Sequence, residues 1–300
     1  MRVRMKLIIK NNILLFSCGF VLYATAILAG SLGDGREALR DGDYAVALEH
    51  FTPLAEGGNA EAQAFLAGMY LRGEGVEKDY EKAADWLKLA AEQGEPIAQN
   101  NLGWLYQNAR GVPKNYQEAI RWYRQSAEQG IAGAQENLAL MYYYSKGVRR
   151  DFAKAAEWFQ KAAEQGLPKS QGYLGDMYYY GRGAPVDYEK SAELFRLAAE
   201  QGDASSQYQL GVLYLSGEGV EQDDAMAAEW FNQAAELGDE LSQYNLGAMY
   251  ESGWGVEQDY DKAVYWYKMS ADQGVEEAQA VLEELAEEGV DAAIEVVRMK

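Results

Sequence analysis

The side chains that carry most enzymatic chemistry are scarce in this chain of 300 residues: it has one histidine, His50, and one cysteine, Cys18. A nucleophilic triad needs an imidazole held by a third group, and thiol- or imidazole-rich metal sites need several such ligands, so both classes are excluded. Carboxylates abound, with 47 Asp and Glu against 27 Lys and Arg. Paired acids can hydrolyse glycosides, but no pair stands out from an acidic surface that recurs along the chain. Gly73-Glu74-Gly75, Gly181-Arg182-Gly183 and Gly217-Glu218-Gly219 have the look of phosphate loops. None is followed by Lys-Ser or Lys-Thr, and each returns at a fixed place in a longer pattern, which marks them as turns that need positive φ. No catalytic residue, cofactor or metal site is expected, and the chain reads as a non-enzyme. The residues left with recognition chemistry are aromatic, above all two tyrosine runs, Tyr142-Tyr143-Tyr144 and Tyr178-Tyr179-Tyr180.

Charge narrows the partners. The formal net charge is -20, so the folded part repels nucleic-acid phosphates and anionic lipid, and binding to nucleic acid or to a membrane surface is not expected. The first thirty residues differ from the rest. Arg2, Arg4, Lys6 and Lys10 precede a mostly apolar run from Ile13 to Ala29, with small residues at Ala24-Thr25-Ala26. Residues 1–30 read as a secretory signal peptide or an uncleaved N-terminal anchor. A lipoprotein signal at Cys18 is the weaker reading, because the chain stays apolar after it. The expected location is the periplasm or the exterior, or the inner membrane if the anchor is kept. Without a second cysteine no intramolecular disulfide forms, and stability rests on packing.

The elements that position the tyrosines come from an internal repeat. Gly58, Gly94, Gly130, Gly166, Gly202, Gly238 and Gly274 are each 36 residues apart, which divides residues 59–274 into six units without an insertion. Numbering slots from Asn59, the first unit places Ala62, Leu66, Met69 and Tyr70 at helical spacing. Gly73 and Gly75 interrupt, and Tyr80, Ala83, Trp86, Leu87, Ala90 and Ala91 form a second stripe. Each unit is a helical hairpin, with Asp79 as N-cap and Gly94 as a left-handed stop. Small residues at slot 9 (Ala67, Gly103, Ala139, Gly175, Gly211, Gly247) let helices approach. Trp86, Trp122, Trp158, Trp230 and Trp266 fill slot 28, with Leu194 in the remaining unit and His50 in the same register upstream. His50 is therefore a packing substitute for that tryptophan. One hairpin cannot bury its own stripe, so units must stack.

The spacing and the motifs L-G-x-x-Y, G-x-G-V, D-Y-x-K-A and A-A-E-Q-G resemble the Sel-one-like repeat, a relative of the tetratricopeptide repeat. The resemblance implies an all-α, right-handed superhelical solenoid whose first helices line the concave side. It also implies an adaptor or scaffold for protein complexes, often in bacterial envelopes. A cysteine-rich branch of the family is associated with beta-lactam compounds, but its cysteine pairs are absent here. Residues 31–58 match a shortened capping hairpin. Residues 275–300 supply capping helices, in which Glu283, Glu284, Glu287 and Glu288 form a solvated face.

Slots 4, 5, 8, 9, 11 and 12 of the first helix are kept in every unit and cover an arc of about 160° at 100° per residue. Slots 3, 6, 7, 10, 13 and 14 vary and fall on the opposite arc, the expected binding wall. It carries Phe65, Trp104, Leu140, Tyr143, Tyr144, Tyr173, Asp176, Tyr179, Tyr180, Tyr208, Val212 and Tyr244. Aromatic side chains with a polar tip suit a protein partner. The leading expectation is a scaffold that holds an envelope protein, including a membrane sensor that it restrains. The alternative is a polysaccharide partner in an exopolysaccharide or peptidoglycan system.

Overall fold

A computed structural model describes residues 31–298, so the segment read as a signal peptide or anchor lies outside the described residues. The described residues contain sixteen α-helices and no strand, and none of the helices is long and apolar enough to cross a membrane. Two compact units part between Ala134 and Gln135. The first holds α1 (Leu32–Asp41), α2 (Tyr44–Glu56), α3 (Ala60–Arg72), α4 (Tyr80–Glu92), α5 (Pro96–Asn108) and α6 (Tyr116–Glu128). Helix α7 (Ala132–Tyr143) begins at the end of the first unit and runs into the second. There follow α8 (Phe152–Glu164), α9 (Pro168–Tyr180), α10 (Tyr188–Ala199), α11 (Ala204–Ser216) and α12 (Asp224–Glu236). Helices α13 (Glu240–Ser252), α14 (Tyr260–Asp272), α15 (Glu276–Glu287) and α16 (Asp291–Arg298) complete the second unit. Successive pairs from α3/α4 to α13/α14 are the six hairpins, and within each unit every hairpin packs on the next.

The D-Y-x-K motif is a helix start built from two interactions. Asp79 accepts hydrogen bonds from the amides of Glu81 and Lys82, both at 3.0 Å, and Asp151, Asp187 and Asp259 each accept one at 3.0 Å from the amide three residues on. These amides, with the lysine beside each acid, hold the four carboxyls below their ordinary range. The lysines turn back over the slot-12 tyrosines, 5.5 Å from the Tyr70 ring for Lys82 and 4.9 Å from Tyr250 for Lys262. The first tyrosine of each run, Tyr142 and Tyr178, receives Lys154 and Lys190 in the same way. Those tyrosines build the repeat.

Inside four of the hairpins a glycine meets a ring. A Cβ added at Gly103 would stand 2.8 Å from the Tyr123 ring, and Gly175, Gly211 and Gly247 face Phe195, Phe231 and Tyr267 at 2.9, 2.7 and 2.8 Å. These rings at slot 29 are among the largest fully buried side chains. The tryptophans of slot 28 work between hairpins: Trp86 packs against the apolar clusters on both sides of it, and Trp230 packs against the cluster that joins its own hairpin to the preceding one. His50 Nδ1 accepts a hydrogen bond from the Ser31 amide at 3.1 Å, a structural use.

First helices end in the left-handed region, at Gly73, Gly181, Gly217 and Gly253, but Ala109 takes that place after α5 with φ 54°. A side chain there costs about 1–2 kcal/mol, partly offset by the entropy that glycine loses on folding. Ala109→Gly is expected to stabilise the first unit by about 0.5–1 kcal/mol, read in urea unfolding. A loss of stability would contradict this account of the helix stop.

Candidate partner-binding site

The wall residues fall into two groups. Trp104, Tyr144 and Tyr180 are exposed, at 40, 45 and 51%. The others are half-buried, and several lie against slot-29 rings. Phe65 stacks on Phe51 at 4.8 Å, Tyr208 leans on Phe231 at 5.9 Å, and Tyr244 leans on Tyr267 at 5.6 Å. Val212 packs against the apolar cluster around Phe231, and Leu140 is half-buried on α7. Trp104 and Phe65 belong to the first unit.

In the second unit the aromatics converge. Tyr173 on α9 stacks on Phe159 at 5.0 Å and 7°, and Tyr143 and Tyr144 at the end of α7 meet it edge-on at 5.5 and 6.3 Å. The hydroxyls of Tyr144 and Tyr173 are hydrogen-bonded at 2.9 Å. Burial, then that bond, pushes the Tyr173 phenol well above its ordinary value. Arg182 donates to the Tyr143 hydroxyl at 3.0 Å and lies 4.7 Å from the Tyr180 ring centroid. Tyr180 meets Tyr179 edge-on at 4.8 Å. The Tyr179 hydroxyl donates to Glu218 at 2.9 Å, and that bond is the first cause of a phenol pushed up to about 12. The two tyrosine runs thus end in one connected aromatic surface, pinned by Arg182 and Glu218.

A cleft of about 400 Å³ opens beside these rings, lined by Tyr143, Tyr144, Tyr173, Asp176, Phe195 and Asp203 among others. Asp176 Oδ1 is buried and has no hydrogen-bond partner among the described residues. Burial raises the Asp176 carboxyl to about 6; Arg182 draws it down, and the Asp203 charge adds to the rise. Asp203 is the N-cap of α11 and accepts from the Ser206 amide at 3.0 Å and its hydroxyl at 2.6 Å. The site offers two carboxylates and several ring faces in one concavity. Among the described residues no group of three or more His, Cys, Asp or Glu could hold a metal ion.

The Sel1 repeat model matches this chain six times, at residues 60–95, 96–131, 132–167, 168–203, 204–239 and 241–275. The chain belongs to the Sel1 repeat family. Sel1 repeat proteins are generally non-catalytic scaffolds for protein interaction. Among solved structures, a protective antigen present in uropathogenic Escherichia coli strains, which displays the SLR fold, is 42% identical with a TM-score of 0.77. The match covers 82% of this chain and 53% of that one, so this chain spans about half the length of the antigen. A Sel1 repeat protein from Oxalobacter formigenes is 31% identical with a TM-score of 0.71, over 79% of this chain and 94% of that one. A comparison with curated proteins found no match.

The Sel1 register explains why the cleft opens at this hairpin. Slot 6 carries Ala64, Asn100, Glu136, Tyr208 and Tyr244 in the other repeats, but Gly172 on α9. That slot faces slot 4 of the following repeat: Ser170 donates to Glu136 at 2.7 Å, and a Cβ at Gly172 would stand 2.7 Å from Ser206 Oγ. Gly172 thus lines the cleft together with Ser206 and Asp203, at the slot where the next two repeats carry a tyrosine. Slot 10 departs at the same hairpin, holding Asp176 where the others have Gly68, Trp104, Leu140, Val212 and Ala248. Reading the sequence for large residues on the wall found Tyr143, Tyr144, Tyr173 and Asp176 but missed Gly172, Lys169, Arg182 and Asp203. The missing side chain in slot 6 was the signal that would have located them.

Proposed function

We propose that this Sel1 repeat protein is a non-catalytic scaffold of the bacterial envelope that holds a segment of a partner protein against the first-helix wall of its second unit. One observation carries the reading: Tyr144 and Tyr180, in successive repeats, are both exposed while their neighbouring rings are tied down. Large rings held in place at low entropic cost are what interface anchors require. Regulation of a membrane sensor and assembly of an envelope complex are both uses of such a hold. The envelope location is supported by the basic and then apolar character of residues 1–30.

The test is capture of the partner in cells by a photo-crosslinking residue placed near the wall, for example at Ser145. Tyr144→Ala with Tyr180→Ala is expected to lower recovery at least about tenfold, since anchors of this kind contribute about 2 kcal/mol each. Unchanged recovery with a folded double variant would sink the assignment. A protein partner bound to this acidic chain releases as salt rises, whereas a neutral polysaccharide does not.

A further inference from the structure

We propose that the cleft between α7, α9 and α11 is an arginine site: it seats one guanidinium of a basic partner segment, with Asp176 as counter-charge and Tyr144 and Tyr173 as flanking rings. This rests on the scaffold reading above and names the chemistry of what the wall holds.

Three observations lead there. First, Asp176 is charged at neutral pH in a place that costs stability, with a buried oxygen that no described residue satisfies. A buried oxygen left without a hydrogen bond costs stability, and such departures from local economy mark functional positions. Second, the charges facing it offset it only in part: Arg182 draws the carboxyl down but forms no ion pair with it among the described residues. Arg182 is engaged by the Tyr143 hydroxyl and the Tyr180 ring. Lys169 belongs to the lining, but no ion pair joins it to Asp176 among the described residues. Asp203 adds a second negative charge from the start of α11. Third, the surroundings suit a planar cation. Tyrosine faces attract guanidinium, and its fork of donors can serve two carboxylates and the phenol oxygens together, which a lysine ammonium does less well. Gly172 and Asp176 both line the cleft, so the concavity and the charge arise in the same hairpin. The net charge of -20 favours a basic segment on approach.

The raised Asp176 carboxyl sets the pH behaviour. Its folded value, about 6, lies above the ordinary 3.8, so the folded state carries the cost of the charge above about pH 6 and is relieved of it as the group protonates. A bound guanidinium needs the charged form, so affinity should fall as pH drops through 6.

The experiment titrates the full chain with N-acetyl-arginine N-methylamide, using the neutral citrulline analogue and the lysine analogue as controls, and follows tyrosine ring resonances by NMR. The arginine probe is expected to shift Tyr144 and Tyr173 with millimolar affinity, about tenfold more tightly than either control. Asp176→Asn should abolish that preference and remove its pH dependence. Because Asp176→Asn deletes an unpaired buried charge, it should melt at or above the wild-type temperature at pH 8, with the difference shrinking towards pH 4. As a second variant, Gly172→Tyr restores the residue of the next two repeats and should occlude the probe. Equal response to arginine and citrulline, equal response to lysine, or unchanged binding in a folded Asp176→Asn would each overturn the proposal. If the probe fails while Tyr144→Ala with Tyr180→Ala still abolishes partner capture, the arginine site falls and the wall stands. If capture is also unaffected, both fall.

Discussion

Gly219→Ala is expected to destabilise the second unit by about 3 kcal/mol or more, whereas Gly217→Ala, two residues away, costs only about 1 kcal/mol. Both positions have positive φ, 73° and 72°, so both substitutions carry the same left-handed penalty. They differ in what a Cβ meets. At Gly217 the nearest atom is Gln222 Cβ at 3.3 Å, the side chain of an exposed residue. At Gly219 it would stand 2.1 Å from the Tyr188 carbonyl oxygen and 2.3 Å from its carbon, at the first turn of α10. Backbone cannot rotate aside, so the loop after α11 must lift from the preceding hairpin. The same approach recurs at Gly111 on Tyr80, Gly183 on Phe152 and Gly255 on Asp224, at 2.0, 2.3 and 2.1 Å. The second glycine of the G-x-G turn is thus the point where one repeat's loop rests on the backbone of the one before. Stability in a stacked array is a sum of repeat and interface terms, so the damage should be local. Hydrogen exchange should show loss of protection centred on α10 and α11 in Gly219→Ala and little change in Gly217→Ala. Equal losses in the two variants would refute the backbone contact.

The hairpins, caps and small-residue slots were legible in the sequence because the chain states them six times, and a position that tolerates one residue type in every copy announces its constraint. Asp79 caps as its place before Tyr80 demands, and Gly103 is small because the Tyr123 ring lies on it. The open part of the wall was harder to read. A helical wheel treats one helix alone, while a first helix such as α9 has rings on both sides, Phe159 and Phe195. A slot-7 residue such as Tyr173 lies on the slot-29 ring of the preceding repeat, Phe159; a slot-6 residue such as Tyr208 lies on that of its own, Phe231. These contacts narrow the exposed arc towards slots 10 and 14, where Trp104, Tyr144 and Tyr180 remain open. The cleft escaped for another reason. Its lining includes a residue with no side chain, Gly172, and pattern reading weights what is present.

A glutamine relay that ties successive hairpins within each unit yields the second large effect. Gln171, 4% exposed, donates through Nε2 to the Ala163 carbonyl of the preceding hairpin at 3.3 Å, and its Oε1 accepts from Gln201 Nε2 at 2.8 Å. The Gln63–Gln93, Gln99–Gln129, Gln135–Gln165 and Gln243–Gln273 pairs repeat the side-chain bond at 2.8–2.9 Å. One repeat lacks it. Gln207 still donates to the Ala199 carbonyl at 3.1 Å, but Leu237 stands where its donor should be, and Gln207 Oε1 is buried without a partner. Gln201→Leu would create the same defect at Gln171. It should cost about 1–3 kcal/mol, the penalty of an unsatisfied buried acceptor. Leu237→Gln should run the other way and stabilise by about 1 kcal/mol, since Leu237 is 59% exposed and gives up little buried surface. In urea unfolding the midpoint of the transition that reports α11 and α12 should rise for Leu237→Gln, and that reporting α9 and α10 should fall for Gln201→Leu. The pair of results separates the relay from helix propensity, because leucine and glutamine are nearly equal in that respect and propensity alone predicts no change in either variant. Stabilities of both variants within about 0.3 kcal/mol of the wild type would leave the relay without energetic weight.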